Sequence, residues 1–170
     1  MDIQCNLIID SCCDLPHEVV DREGVYLLKF PYFDESGEHL DDLYRSRSAH
    51  DFYESMRNGS EPHTAQIPMP SLRAAFEWAH EQGKPAVYLS FSSGLSGTFD
   101  TACIYLEQVK QEIPDLDVRM VDTKLASVAE ALLVYEALRQ REKGLTAEEI
   151  VAWAEEARYF VDRQLMVDDL

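Results

Sequence analysis

Short runs of apolar residues alternate along the chain with longer segments in which apolar residues recur every three to four positions. A short run is typical of a buried strand, and the longer spacing is typical of a helix with one face turned to a core. The predicted strands are residues 3–9, 25–33, 86–91 and 118–121. Strands that alternate with helices predict an α/β fold, a three-layer sandwich with a mainly parallel sheet and helices on both faces.

Pro16 is suited to a helix start after the first strand, and the other predicted helices follow the second, third and fourth strands. They cover residues 50–58, 71–83, 99–109, 125–143 and 146–159. Ser71 is predicted to cap the second helix, and Thr146 with Glu149 matches a capping box. Lys29 and Pro31 interrupt the second strand, which indicates a sheet edge, and the acidic residues 34–42 are expected to leave the core. The proline-rich residues 60–70 are predicted to be a loop.

Composition limits the classes of partner. The 32 acidic and 15 basic residues give a net charge of −17, so the long-range field repels nucleic acids and anionic membranes. The chain contains no long apolar segment and no basic, signal-like N-terminus, so we expect a cytoplasmic location and no membrane-spanning segment. Any site for an anion must use local N–H groups, hydroxyls and helix dipoles.

Polar residues directly follow three of the predicted strands. These pairs are Asp10-Ser11, Ser92-Ser93 and Asp122-Thr123. Ligands of open parallel sheets bind at the carboxyl ends of the strands, so these loops are expected to converge on one crevice. An alternative is that Asp10 and Asp122 form a carboxylate pair, either for acid-base catalysis or for binding a divalent ion. Aspartates at strand ends, however, usually accept hydrogen bonds from N–H groups of helices or loops.

The segment from Ser92 to Thr98 supplies four hydroxyl groups and two glycines between a strand and a helix. Gly94 allows backbone N–H groups to approach an anion closely. The spacing matches neither a Walker A loop nor a nucleophile elbow. The alternative is a glycine turn with serine caps.

A second candidate segment is stiffened by prolines. Thr64 stands beside His63 and Gln66, between Pro62 and Pro68, and a rigid segment can present its hydroxyl in a fixed position. The alternative is an exposed loop of ordinary turn residues. The adjacent Cys12 and Cys13 indicate reduced filler residues, with a reactive thiol at either position as the alternative.

Four of these segments, in order, resemble the DegV proteins. They are Ile8-Ile9-Asp10-Ser11 with Asp14-Leu15-Pro16, Thr64-Ala65-Gln66, Ser92-Ser93-Gly94-Leu95-Ser96-Gly97-Thr98-Phe99, and Val121-Asp122-Thr123-Lys124-Leu125-Ala126-Ser127. The resemblance implies a two-domain protein that binds a long-chain fatty acid between its domains. It assigns residues 1–158 to the first domain and residues 159–170 to the truncated start of a lipid-covering second domain. The apolar residues 159–161 and 165–167 by themselves predict a further strand.

The resemblance also implies how the ligand is held. Thr64 and Ser93 would donate hydrogen bonds to the carboxylate, aided by the N–H group of Gly94. The remaining ligand-binding residues of this hypothesis are Ser92, Ser96, Ser11 and Gln66. The chain would have no catalytic residue, metal or cofactor, and it would present the fatty acid to a separate, ATP-dependent fatty acid kinase subunit that forms the acyl phosphate.

Several residues depart from the usual pattern of the family. Ala65 stands where a serine is usual, and Ile67-Pro68 replaces Pro-Ser. Cys12-Cys13 stands where small or hydroxyl residues are common, and Val128-Ala129-Glu130 replaces a stretch that often contains glycine. An alternative function stays open, namely a serine hydrolase or phosphate-binding enzyme that uses Ser93 or Ser96 with His63. A third hypothesis is an interaction module that docks a protein on its acidic face.

Overall fold

The computed structural model describes residues 2–164. Its strands are β1 (Asn6–Asp10), β2 (Val25–Leu28), β3 (Pro31–Asp34), β4 (Gly37–Leu40), β5 (His63–Thr64), β6 (Ala86–Ser90) and β7 (Val118–Asp122). Four of them form a parallel sheet in the order β2-β1-β6-β7. The central strands β1 and β6 are buried along their whole length, which explains why both are continuous apolar runs in the sequence.

Helices cover both faces of this sheet. They are α1 (His17–Val20), α2 (Ala49–Arg57), α3 (Met69–Glu81), α4 (Thr98–Glu112), α5 (Ser127–Glu142) and α6 (Ala147–Ala157). Ile8 and Tyr88 pack into the core with α3 and α4, whereas Leu7, Ile9 and Leu89 pack into the core with α5 and α6. Successive strand residues point to opposite faces, so each strand contributes to both cores. The predicted α/β class, parallel sheet and two helical layers are confirmed.

A second, antiparallel sheet was not predicted. Its strand order is β4-β3-β5, and residues 25–33 therefore form two strands in two different sheets instead of one. Pro31 has no N–H group to donate to a central ladder and is the first residue of β3. The acidic segment turns back as a hairpin at Glu35 and Ser36, and His63 and Thr64 belong to β5. The prediction of a loop over residues 60–70 is wrong at those two residues, and also at Met69 and Pro70, which begin a helix.

Most predicted helices form, with differences at their ends. The helix predicted to start at Ser71 begins at Met69, without a side-chain cap, because Pro70 fits the first turn, where an N–H group would be unpaired. The capping box of Thr146 and Glu149 is present at the start of α6. None of the helices within residues 2–164 has both the length and the apolarity of a membrane span.

The strand predicted at residues 159–161 is wrong. Arg158–Phe160 form a 3-10 turn that continues from α6, since Ala157 and Arg158 keep helical backbone angles. Residues 165–167, the other part of that predicted strand, lie outside the described residues.

Candidate functional site

The polar loops meet at the carboxyl edge of the parallel sheet, as the strand order requires. Asp10 at the end of β1 accepts a hydrogen bond from the N–H group of Phe91 at 2.8 Å. Asp122 at the end of β7 accepts one from the N–H group of Ser93 at 3.1 Å. Both aspartates therefore tie neighbouring loops together, and Asp10 also caps the 3-10 turn that follows β1. Each carboxylate accepts N–H groups from its own loop and from the loop after β6. No cluster of three or more metal-ligating side chains occurs in residues 2–164.

A cavity of about 570 Å³ opens between the small antiparallel sheet and the loop after β6. Volumes of this size are typical of sites for small organic ligands. Aromatic and aliphatic side chains dominate its walls, among them Phe30, Tyr32, Leu40, Phe52, Phe91 and Leu95. The cavity therefore suits a ligand with a large apolar part.

The loop that carries Ser92, Ser93 and Ser96, between β6 and α4, is called the serine loop. Uncharged polar groups line the cavity where the segment after β5 meets this loop. Thr64 and Gln66 come from the first segment, and Ser96 and Gly97 come from the loop. A Cβ atom at Gly97 would lie 2.4 Å from Nε2 of Gln66, so this close approach needs a glycine. The Ser96 hydroxyl donates to Oγ1 of Thr98 at 3.0 Å.

Four other predicted site residues lie outside the lining of this cavity. Ser92 is buried, and its hydroxyl accepts a hydrogen bond from the N–H group of Gly94 at 3.2 Å. The hydroxyl of Ser93 accepts one from the ammonium group of Lys124 at 2.7 Å. Ser11 is buried and accepts the N–H group of Phe30 at 3.1 Å. The loop thus satisfies many of its own polar groups, which the sequence pattern did not indicate.

Arg47 is a cavity residue that the sequence reasoning missed. Its guanidinium group donates to Asp34 at 2.9 Å and to Ser55 at 2.7 Å, and it lies 5.3 Å from the centre of the Phe52 ring. Hydrogen bonds from Ser36, with those from His39 and Arg47, hold the pKa of Asp34 well below its ordinary value. The charge of Arg47 is therefore compensated within the small sheet.

The arrangement gives little support to a hydrolase. The ring of His63 stacks on Phe33 with 5.5 Å between ring centres. Within the part of the chain that the structure describes, no histidine forms a hydrogen bond with Ser93 or Ser96. A serine nucleophile requires an adjacent base.

Glu130 is a second residue that the sequence reasoning missed. It lies on α5, is fully buried beside Asp10, and receives no N–H or O–H donor from the described residues. Burial raises the pKa of Asp10 to about 7, while burial and the neighbouring Asp10 raise the pKa of Glu130 well above its ordinary value. We infer that Glu130 is protonated at neutral pH and donates to Asp10, which accepts two backbone N–H groups.

The cysteines near the cavity have the environment of unreactive thiols. Cys5, Cys12, Cys13 and Cys103 are all free. Burial and the nearby carboxyl groups of Asp10 and Glu130 raise the pKa of Cys12 well above its ordinary value, and burial raises the pKa of Cys13 to about 12. A reactive cysteine needs the opposite shift, so these surroundings do not favour the reactive-thiol alternative.

Comparisons with known proteins agree with this architecture. The DegV domain-containing protein CPE0026 of Clostridium perfringens is 32% identical over 164 residues, which cover 96% of this chain and 56% of that relative. A Thermus thermophilus structure, described as showing fatty acid binding of a DegV family protein, is 27% identical with a TM-score of 0.76, over 92% of this chain and 54% of that one.

A further solved structure has the same relationship to the chain. A Thermotoga maritima protein, TM841, described as revealing a fatty acid binding function, is 26% identical with a TM-score of 0.75, over 91% of this chain and 55% of that one. The chain spans about half the length of the curated relatives it matches. The model of the family described as uncharacterised proteins of the DegV family matches residues 4–170, and this chain therefore belongs to the DegV family.

Proposed function

We propose that this chain binds a long-chain fatty acid, with the acyl chain in the cavity and the carboxylate near Thr64. The observation that carries the proposal is the cavity itself, whose walls are mainly apolar and which has hydroxyl and amide groups where two loops meet. Two solved relatives more than a quarter identical in sequence are described as binding fatty acids, which supports the same ligand class.

Burial of the acyl chain supplies most of the gross binding energy. Each methylene group removed from water contributes ~0.8 kcal/mol, so a long chain outweighs the few polar contacts available to one carboxylate. The polar groups therefore orient the ligand more than they hold it. Hydroxyl and amide donors can do this without a full countercharge.

The proposed contacts to the carboxylate come from both loops. Thr64 is exposed at the cavity, so its hydroxyl is accessible to a ligand. Ser93 and the N–H group of Gly94 are the proposed partners from the serine loop, and the carboxylate would compete with Ser92 for the Gly94 N–H group. Gln66 and Ser96 are the further donors in the lining. Ser92 supports the serine loop through the Gly94 N–H group, and Ser11 holds the N–H group of Phe30, another residue of the lining.

The chain is proposed to present its ligand rather than transform it. A carboxylate held near exposed Thr64 lies within reach of a second protein, and among the described residues no histidine forms a hydrogen bond with Ser93 or Ser96. We infer that a separate ATP-dependent kinase phosphorylates the bound carboxylate. In the same proposal, residues 1–158 form one domain and residues 159–170 begin a second domain that covers the ligand.

Two measurements test the proposal. Mass spectrometry of an organic extract of the purified protein should detect a fatty acid at about one molecule per chain. Titration of the delipidated protein with hexadecanoic acid should then give a dissociation constant that Thr64→Val increases about tenfold, because one hydrogen bond to a charged group is lost.

Thr101→Val on α4, outside the cavity lining, is the matched control and should leave the affinity unchanged. Absence of any bound fatty acid, together with no detectable titration, would contradict fatty acid binding. An unchanged affinity of Thr64→Val would contradict only the role of Thr64.

A further inference from the structure

Lys124 connects two groups at the serine loop. Its ammonium nitrogen lies 2.7 Å from Oγ of Ser93 and 2.6 Å from Oδ2 of Asp122. The Asp122 side chain is 8% exposed and the Lys124 side chain is 54% exposed. The lysine thus bridges a nearly buried carboxylate and a serine hydroxyl proposed to contact the ligand.

The backbone of Lys124 is held in an unusual conformation. Its φ of 59° lies in the left-handed region, which is unfavourable for a residue with a side chain. The Lys124 N–H group donates to Oδ1 of Asp122 at 3.1 Å, and Arg158 donates to the Asp122 carbonyl at 2.7 Å. Arg163 donates to the carbonyl of Lys124. These contacts direct the lysine side chain toward Ser93.

This geometry determines to which group the Ser93 hydroxyl can donate its hydrogen bond. An ammonium group only donates hydrogen bonds, so Oγ of Ser93 must accept from Lys124. The Ser93 hydroxyl also lies near the Asp122 carboxylate, and its hydrogen bond contributes to the lowered pKa of Asp122. Because Lys124 donates to Asp122 as well, the Ser93 proton can turn from Asp122 to a ligand carboxylate without leaving Asp122 unpaired.

Lys124 also changes the local charge. In a chain with a net charge of −17, a bare Asp122 beside the loop would repel an anionic ligand. Although burial raises the pKa of Asp122, hydrogen bonds from Lys124 and Ser93 lower it below its ordinary value, so this carboxylate is ionised. The ammonium group neutralises it at contact distance.

We propose that Lys124 is a positioning residue of the fatty acid site, which makes Ser93 a hydrogen-bond donor toward the ligand carboxylate and cancels the charge of Asp122. This inference rests on the proposed function, because it concerns the carboxylate end of that ligand. It concerns the charged end alone and assigns no contact with the acyl chain.

The test compares hexadecanoic acid with its methyl ester, which has the same chain without the charge. Lys124→Met in the full chain should weaken binding of the acid about tenfold and change binding of the ester less than about twofold. Ser93→Ala should have the same effect, and the double variant should be no worse than either single variant, since both remove the same bond. Lys124→Arg, which keeps the donors, should recover most of the affinity for the acid.

Lys110→Met is the matched control, because Lys110 lies on α4 and, among the described residues, pairs only with Glu107. Equal losses of acid and ester binding by Lys124→Met would show a structural role and overturn the inference, as would an unchanged affinity for the acid. Wild-type protein that binds neither ligand would instead overturn the proposed function.

Discussion

Asp10 and Glu130 bring two carboxyl groups into the interior beneath the serine loop. Asp10 was predicted to cap loop N–H groups, and it does so at Cys12 and Phe91. Glu130 departs from the family pattern, but its burial was not predicted, because a single acidic residue in a helix usually faces solvent. Its burial depends on how α5 packs against the 3-10 turn after β1, which sequence spacing does not specify.

The buried pair should make the protein more stable at mildly acidic pH. Both pKa values are raised in the folded state, to about 7 for Asp10, so the folded protein holds protons that the unfolded chain releases. The stabilisation is complete below the unfolded pKa values and is lost as pH rises through the folded ones. Glu130→Gln should therefore flatten the dependence of the unfolding free energy on pH between about 5 and 8, and raise that energy by about 2 kcal/mol at pH 8.

Urea denaturation at several pH values provides the measurement. Glu155→Gln, on the exposed side of α6, is the control and should retain the wild-type pH dependence. A Glu130→Gln variant with the same pH profile as the wild type would show that the pair does not share a proton.

At the scale of elements, the sequence predicted a strand correctly where the whole apolar segment lies in one sheet. The runs that became β1 and β6 lie between two helical layers, so their apolar residues are continuous. Residues 25–33 look equally apolar but cross from one sheet to another near Pro31. Hydrophobicity reports burial and not the strand partner, which explains why the antiparallel sheet was missed.

That antiparallel sheet and α2 form the cavity wall opposite the serine loop. Phe52 of α2 packs edge-on against Tyr32 at 5.6 Å between ring centres, and both rings line the cavity. Replacement of Phe52 by alanine should reduce the affinity for hexadecanoic acid by about 1 to 2 kcal/mol, because apolar contact area is lost. It should also shift the preference toward longer acyl chains, since the cavity becomes larger.

Calorimetric titration with a series of saturated fatty acids measures both effects. Tyr53→Ala is the matched control on the same helix, because Tyr53 is half exposed and lies outside the lining. An unchanged chain-length profile for Phe52→Ala would show that the acyl chain does not reach this wall.

At the scale of the whole molecule, the net charge of −17 opposes an anionic ligand at long range. Salt screens this repulsion, whereas hydrogen bonds within a few ångströms of the carboxylate are screened less. An increase from about 20 mM to about 200 mM sodium chloride should therefore raise the affinity for hexadecanoic acid several-fold. The affinity for the uncharged methyl ester should change less.

Titration of both ligands over this range of salt separates the electrostatic effect from general salting-out. An equal response of acid and ester would show that the overall field has no influence at the site. A fall in affinity for the acid would show that local cations, such as Lys124, outweigh the rest of the charge.

The sequence by itself determined the α/β class, the alternation of strands and helices along the chain, and the polar loops at the strand ends. These properties depend on local periodicity and on turn chemistry, which neighbouring residues encode. It also indicated the segments around Thr64 and Ser93, because glycine, proline and hydroxyl residues concentrate there.

Only the tertiary structure decided which loop groups remain available and where the cavity lies. Ser92 and Gly94 bond to each other, and Lys124 engages Ser93 across 31 positions of the chain. The cavity needs a second sheet folded over the edge of the first. Contacts between residues distant in sequence arise from packing, and no local pattern specifies them.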